Sequence, residues 1–250
     1  MGLIIRHTQK CYMRHTLITP ILLLISYLAV AQEKIIYDAN AEKRAVGGFQ
    51  RVRVSDGIDL YITQSNDEGV VVSATEIAHR DKIKTVVENG ELKIYFDQNW
   101  MGWNWKNRKL KAYVAIKSLK GIRASGGADV IVQGVLSSSQ LSMHFSGGSD
   151  FNGNVKVTDL TIDQSGGSDV RIKGSAVNVK VEASGGSDFK GFDLTAEYAI
   201  LQASGGSDAE LTVIKEIAAE ASGGSDVHYK GNPVIKYSSA SGGGSVSKRG

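Results

Sequence analysis

The chain has 250 residues, with 29 basic and 26 acidic side chains, five histidines and a single cysteine. The positive excess is carried wholly by Arg6, Lys10 and Arg14 in the first 31 residues, so residues 32–250 hold 26 basic against 26 acidic groups. That balance excludes the electrostatic footprint of a nucleic-acid or anionic-membrane binder, and Cys11, confined to the same leading segment, leaves the rest of the chain without thiol or disulfide chemistry.

Residues 1–31 read as a secretory signal peptide: basic residues, then the apolar run ITPILLLISYLAVA at 18–31, closing on Ala29-Val30-Ala31. The run is shorter than the roughly 20 apolar residues of a membrane span, and cleavage is expected after Ala31. Met13 is an alternative start, because MRHTLITP already opens a complete signal. No cysteine follows the cleavage site, so a lipid-modified N-terminus is not indicated. Residues 32–43 are a short linker, and residues 44–250 suffice for one large domain or two small ones.

Residues 44–124 are strand-rich. FQRVRV (49–54), IDLYITQ (58–64), VVVSA (70–74), IKTVV (83–87), ELKIYF (91–96) and LKAYVAI (110–116) alternate or are β-branched and aromatic, and Asp56-Gly57 and Asn89-Gly90 are turn signals. This half is expected to be a sheet continuous with residues 125–250, capping them at one end. Within it NWMGWNWKNR (99–108) gathers all three tryptophans of the chain, Trp100, Trp103 and Trp105, with Asn104, Asn107 and Arg108. One reading folds these rings back as a cover. The other makes them an aromatic platform for a sugar or a protein, with Asn104 and Arg108 as polar contacts, since tryptophan offers a broad apolar face and one donor.

From residue 125 to the end a pentapeptide recurs: SGGAD at 125–129, SGGSD at 146–150, 165–169, 184–188, 204–208 and 222–226, and a worn SGGGS at 241–245. The steps are 21, 19, 19, 20, 18 and 19 residues, and the residues between copies alternate apolar and polar. A register this steady is not a flexible linker. One such unit cannot bury its apolar face alone, whereas stacked units can, so the segment is read as a parallel β-solenoid with one rung per ~20 residues and a corner at each SGG. The corner glycines Gly126, Gly147, Gly166, Gly185, Gly205 and Gly223 would permit positive φ and close approach between rungs. Alternation through the corner turns the second serine (Ser149, Ser168, Ser187, Ser207, Ser225) inward, able to bond the rung above. The aspartates Asp129, Asp150, Asp169, Asp188, Asp208 and Asp226 turn outward in a column spaced by about 4.8 Å. Like charges so stacked are destabilising. Either each aspartate caps its corner by accepting local backbone N–H bonds, or calcium lies between rungs. The calcium-binding β-roll repeat differs, however, in its third glycine and nine-residue aspartate period.

AVGGFQRVRVSDGIDLYITQ, VVENGELKIYF and LKGIRASGGADV, followed by the SGGSD rungs, together resemble the "putative auto-transporter adhesin, head GIN domain" family of Bacteroidetes-type bacteria, over residues 44–240. The resemblance implies an exported, right-handed β-helix with an adhesive role, and brings no catalytic or binding residues.

Catalytic signals are absent from the sequence. His79, His144 and His228 lack metal-ligand spacing and read as solvated surface, no serine sits in a nucleophile elbow, and SGGSD lacks the lysine of a phosphate loop. Glycoside hydrolysis needs two carboxylates in different environments, and a regular aspartate column makes them equivalent. The chain reads as an exported cell-envelope adhesin-like or scaffold protein, non-catalytic and without cofactor. It would bind glycan or protein through the solenoid surface or the tryptophan loop, with self-association as a second mode. A carbohydrate-active β-helix enzyme and a calcium-stabilised structural protein are the alternatives.

Overall fold

The computed structural model describes residues 38–97 and 108–250. The signal-peptide segment lies outside these residues. Among them no helix is long and apolar enough to cross a membrane.

The chain is 67% strand and 2% helix, wound into a β-solenoid of about 7 turns. It opens with β1 (Glu42–Arg44), β2 (Arg51–Val54), β3 (Asp59–Gln64) and β4 (Gly69–Ser73), then one helical turn, α1 (Ile77–Arg80). β5 (Ile83–Glu88), β6 (Glu91–Phe96), β7 (Lys111–Ile116) and β8 (Gly121–Ala124) follow. The long, bent strands are β9 (Val130–Phe145), β10 (Phe151–Gln164), β11 (Asp169–Ala183), β12 (Asp188–Gly205) and β13 (Asp208–Gly223), and the chain closes with β14 (Asp226–Lys230), β15 (Val234–Ala240) and β16 (Ser245–Lys248). β1 thus begins inside the stretch read as linker.

From β9 to β14 each strand pairs in parallel with the next, β15 then pairs with β13 and β16 with β14, and the corners stack in register: Asp188 opposite Asp208, Asp208 opposite Asp226, Gly205 opposite Gly223. The unequal repeat lengths are absorbed elsewhere. Register shifts fall between Asn152 and Asn154, between Arg171 and Gly174, and between Gly191 and Thr195, at the opposite bend of each rung. A bulge there adds or removes residues without disturbing the SGGSD corner. Gly174 marks that bend. Its φ is +118°, and a Cβ on it would meet the Val155 carbonyl oxygen at 1.9 Å.

Chain order and rung order differ in the first half. β2 and β3 form one rung, seated between a rung made of β6 and β7 and a rung made of β8 and the first part of β9. The chain therefore starts in the second rung, moves outward to build the first, then passes back to start the third. β4 and β5 pair antiparallel with β7 and β6, and β1 pairs antiparallel with β4, so the outer face of the first rung is covered by strands of the opposite sense. At the other end Ile235 continues the inward line of Leu160, Val179, Ala199 and Ile217. It is 53% exposed where Ile217 is 1%, because no described strand lies over it. The charged residues of that edge are engaged: Lys248 Nζ donates to Asn232 Oδ1, and the Arg249 guanidinium donates to His228 Nε2.

The interior is a continuous apolar column with Phe145, Phe151 and Phe189 among its largest buried side chains; Phe145 and Phe151 pack tilted at 5.6 Å. His79 corrects one expectation. It is buried, not solvated, because the single turn of α1 points it into the cap and leaves Ile77 outside.

Candidate functional site

The corner is built from small residues for geometric reasons. Its first glycine, at 126, 147, 166, 185, 205, 223 and 242, has φ between 62° and 78°. A Cβ on Gly205 would lie 2.9 Å from the Gly185 carbonyl oxygen, and one on Gly223 would lie 2.9 Å from that of Gly205. The backbones of successive corners touch, and no side chain fits between them. The second serine is fully buried in every SGGSD copy. Its hydroxyl bonds the carbonyl oxygen that precedes the corner one rung earlier: Ser149 to Ala124 at 3.0 Å, Ser207 to Ala183 at 3.0 Å, Ser225 to Ala203 at 2.9 Å. The bond goes to the preceding rung, and the same hydroxyl also contacts the corner's own first serine.

The stacking bonds reverse sense along the solenoid. The second-glycine amide donates to the following rung in the early corners (Gly127 to Gly147, Gly148 to Gly166) and to the preceding rung in the late ones (Gly206 to Gly185, Gly224 to Gly205). Gly127, Gly148 and Gly167 accordingly have positive φ.

The aspartates form the outward column. Asp129, Asp150, Asp169, Asp188 and Asp226 are half-buried and Asp208 is exposed. Their carboxylates reach the next rung more than their own corner: Asp150 Oδ1 accepts from the Asp169 amide at 3.1 Å and Asp208 Oδ1 from the Asp226 amide at 3.2 Å. Repulsion is offset by cations from the neighbouring outward line. Arg171 lies 2.6 Å from Asp169, and Lys190 lies 3.0 Å from Asp188 and 3.4 Å from Asp169. Among the described residues no cluster of three or more acidic, histidine or cysteine side chains is arranged to hold a metal ion.

The column begins earlier than the repeats do. Leu60 pairs with Val130, which sets Asp59 beside Asp129, and Asp56 and Gly57 adopt the left-handed conformation of a glycine pair. SDGID at 55–59 is thus a further corner, with Ile58 buried where SGGSD has serine. The offsets Ser-x-Gly-x-Asp of the repeat occur here in a single degenerate copy. The aspartates are not equivalent, contrary to expectation. Burial, with Asp129 beside it, raises Asp59; burial, with Asp150 beside it, raises Asp129. At the far end a hydrogen bond from Ser245 pulls Asp226 down.

The first rung lacks this corner. Val54 pairs with Ile94 and Asp59 pairs with Lys111, and the sequence between Ile94 and Lys111 holds neither SGG nor SDG. Trp100, Trp103, Asn104 and Trp105 lie outside the described residues. Arg108, where the segment returns, holds its guanidinium 4.7 Å above the Phe96 ring. Beside that return lie Lys111, the raised pair Asp59 and Asp129, and two tyrosines that carry no motif in the sequence. Tyr61 and Tyr113 stack at 5.0 Å with 18° between their planes. The corner thus meets an aromatic and carboxylate surface at one end of the solenoid, with no nucleophile and base brought together among the described residues.

A family model described as "putative auto-transporter adhesin, head GIN domain" matches residues 48–233. The chain belongs to this family. Solved structures of similar fold include a "putative adhesin" from Bacteroides fragilis, 21% identical, with TM-score 0.75, covering 84% of this chain and 96% of that one. A "putative lipid binding protein" from Parabacteroides distasonis is 21% identical with TM-score 0.65, covering 85% and 98%. A "putative adhesin" from Parabacteroides merdae is 16% identical with TM-score 0.62, covering 84% and 95%. No curated protein matches the chain. The head GIN family and these adhesin neighbours are named for adhesion and not for an enzyme activity.

Proposed function

We propose that this head GIN protein is exported through the segment 1–31 and acts at the cell envelope as a non-catalytic adhesive module. It would bind an envelope or host glycan or protein through the tryptophan-rich decapeptide that links β6 to β7 in the sequence. One observation carries this reading: the sequence that links β6 to β7 holds every tryptophan of the chain and no glycine pair, and Tyr61 on β3 and Tyr113 on β7 stack on each other. A corner that only had to turn the chain needs glycines. Broad aromatic faces backed by carboxylates are the chemistry of sugar and protein recognition. The adhesin family membership agrees with it.

Tryptophan fluorescence reads that decapeptide alone. Emission that shifts on titration with one member of a glycan panel, and a shift lost when Trp100, Trp103 or Trp105 is replaced by alanine, is the expected result. Emission that is shielded from acrylamide and indifferent to every glycan and envelope protein would overturn the proposal. Phosphatidylcholine vesicles belong in the panel because one relative is named for lipid binding.

A further inference from the structure

One outward line of side chains runs the length of the solenoid beside the serine of the corner. Strand pairing sets it as Lys93, Arg53, Arg123, His144, Asp163, Glu182, Gln202, Glu220, ending on the neutral Ser239. The order is polarised. Three cations and a histidine occupy the first four rungs, and the acidic groups fall within the next four. Arg53, Arg123, His144, Asp163 and Glu182 are each about half exposed, at 46%, 54%, 46%, 52% and 49%. Shallow grooves follow the line on both halves. Arg53 and Arg123 share a single carboxylate, Glu91, at 3.5 and 3.4 Å, and Lys93 pairs with Glu88, so the basic half keeps one positive charge in excess. On the acidic half Asp163 contacts His144 at 3.0 Å, Glu182 contacts Lys180 at 2.6 Å, and Glu220 has no cation beside it among these pairs.

We infer that this line is a docking surface for a second copy of the chain, related by a two-fold axis that crosses it between His144 and Asp163. With the solenoids antiparallel and these faces together, equal spacing of the rungs fixes every partner. Lys93 meets Glu220 of the second copy, Arg123 meets Glu182, Arg53 meets Gln202, and His144 meets Asp163. Each contact occurs twice, as a two-fold interface requires. The next outward line on the same face adds no conflict. There Arg51 meets Ile200, Gly121 meets Lys180, and Ser142 meets Thr161. The long stem of Arg51 can cover Ile200, which is 47% exposed. Eight rungs at about 4.8 Å make a strip roughly 34 Å long. Such a strip is at the small end for a specific interface, so the dimer is weak and salt-sensitive, with charge setting orientation more than affinity. This surface uses none of residues 99–108, and its failure would leave the adhesive proposal standing.

Sedimentation velocity on the purified protein tests it. A dimer at low ionic strength that dissociates at high ionic strength is expected, because exposed charges are screened beyond about 10 Å at 0.1 M salt. Two variants make the geometry specific. Lys93→Glu with Arg123→Glu makes the facing pairs 93/220 and 123/182 acidic on both sides, and Glu182→Arg with Glu220→Lys makes the same pairs basic on both sides. Each alone should weaken the dimer by roughly tenfold or more, and an equimolar mixture should recover it as a heterodimer, since the pairs 93/220 and 123/182 are again opposite in charge. Recovery in the mixture also shows that both variants are folded. A wild-type protein that stays monomeric at low salt, or a dimer indifferent to the two variants, would overturn the inference. So would a monomer retained on a sulfated polysaccharide through Arg53 and Arg123, which would assign the basic half to a polyanion.

Discussion

The hydroxyl of Ser207 lies 3.0 Å from the carbonyl oxygen of Ala183, a residue 24 positions earlier in the chain and one rung away in space. This one bond joins the corner to the preceding rung inside the core. The amide of Ser204 also donates to the Ser207 hydroxyl oxygen, at 3.1 Å. Replacing Ser207 by alanine strands both groups in a buried site, at a cost of about 1–2 kcal/mol. In a solenoid each rung contacts only its neighbours, so the loss is local. Hydrogen exchange should quicken for amides around 183–207 and leave residues 51–64 unchanged. Equal acceleration over the whole chain would refute the account of the serine as a rung-to-rung tie.

The first and second glycines of the corner motif are not interchangeable. Gly205 and Gly167 both have φ of +78°. A Cβ on Gly205 meets the backbone of Gly185 at 2.9 Å, whereas one on Gly167 meets nothing within 4 Å. Gly167→Ala should cost about 1 kcal/mol, the penalty of a left-handed conformation alone. Gly205→Ala must also separate two rungs and should cost about 2–3 kcal/mol more. Urea unfolding followed by circular dichroism measures both. Equal costs would show that conformation, not stacking, selects these glycines.

Gln164 sits in the core, fully buried, and neither its Oε1 nor its Nε2 has a hydrogen-bond partner. It occupies the inward line between Phe145 and Ala183. A buried amide without partners is costly, and leucine is of similar size. Gln164→Leu should therefore stabilise the protein, by about 1–2 kcal/mol, visible as a higher urea midpoint. A lower midpoint would mean that the amide is served by an internal water.

The two ends of the aspartate column should respond to pH in opposite directions. Asp129 is raised by burial and by Asp150, so the folded protein holds that proton more tightly than the unfolded chain. Its contribution is full below the ordinary carboxylate range and is lost as pH rises through the raised value. Asp129→Asn should accordingly stabilise at neutral pH, with the gain vanishing in acid. Asp226 is lowered by the Ser245 hydroxyl, 2.6 Å away, so its contribution is present above the ordinary value and is lost as pH falls. Asp226→Asn should destabilise at neutral pH and become silent in acid. Thermal melts of both variants across a pH series from the acid range to neutrality give the signs; matching slopes would contradict the gradation of the column.

The repeat was legible because its physics is local. Period-two alternation put Phe151, Val170 and Val227 inside, glycine at the corner required a left-handed turn, and counting through SGGSD turned Ser149 inward and Asp150 outward. The same counting applies to SDGID at 55–59, but a single degenerate copy with Ile58 and Asp56 in place of serine and glycine does not announce a period. Asp59, Tyr61 and Tyr113 give no signal for that reason. The burial of His79 runs against its polar neighbours because sequence context says nothing about which side of one helical turn faces a cap.

By itself, the sequence determined the rung, its corner, and which side chains line the inside, since each depends only on residues a few positions apart. Only the tertiary structure decided how the first rungs are ordered. β2 and β3 slip between strands some 40 and 70 residues further along, and no local pattern encodes that exchange. The exchange also sets the order at the basic end of the polarised line from Lys93 to Glu220. Arg53 precedes Lys93 in the chain yet follows it in the stack, and charges unremarkable in sequence become an ordered surface once backbone pairing sets them about 4.8 Å apart.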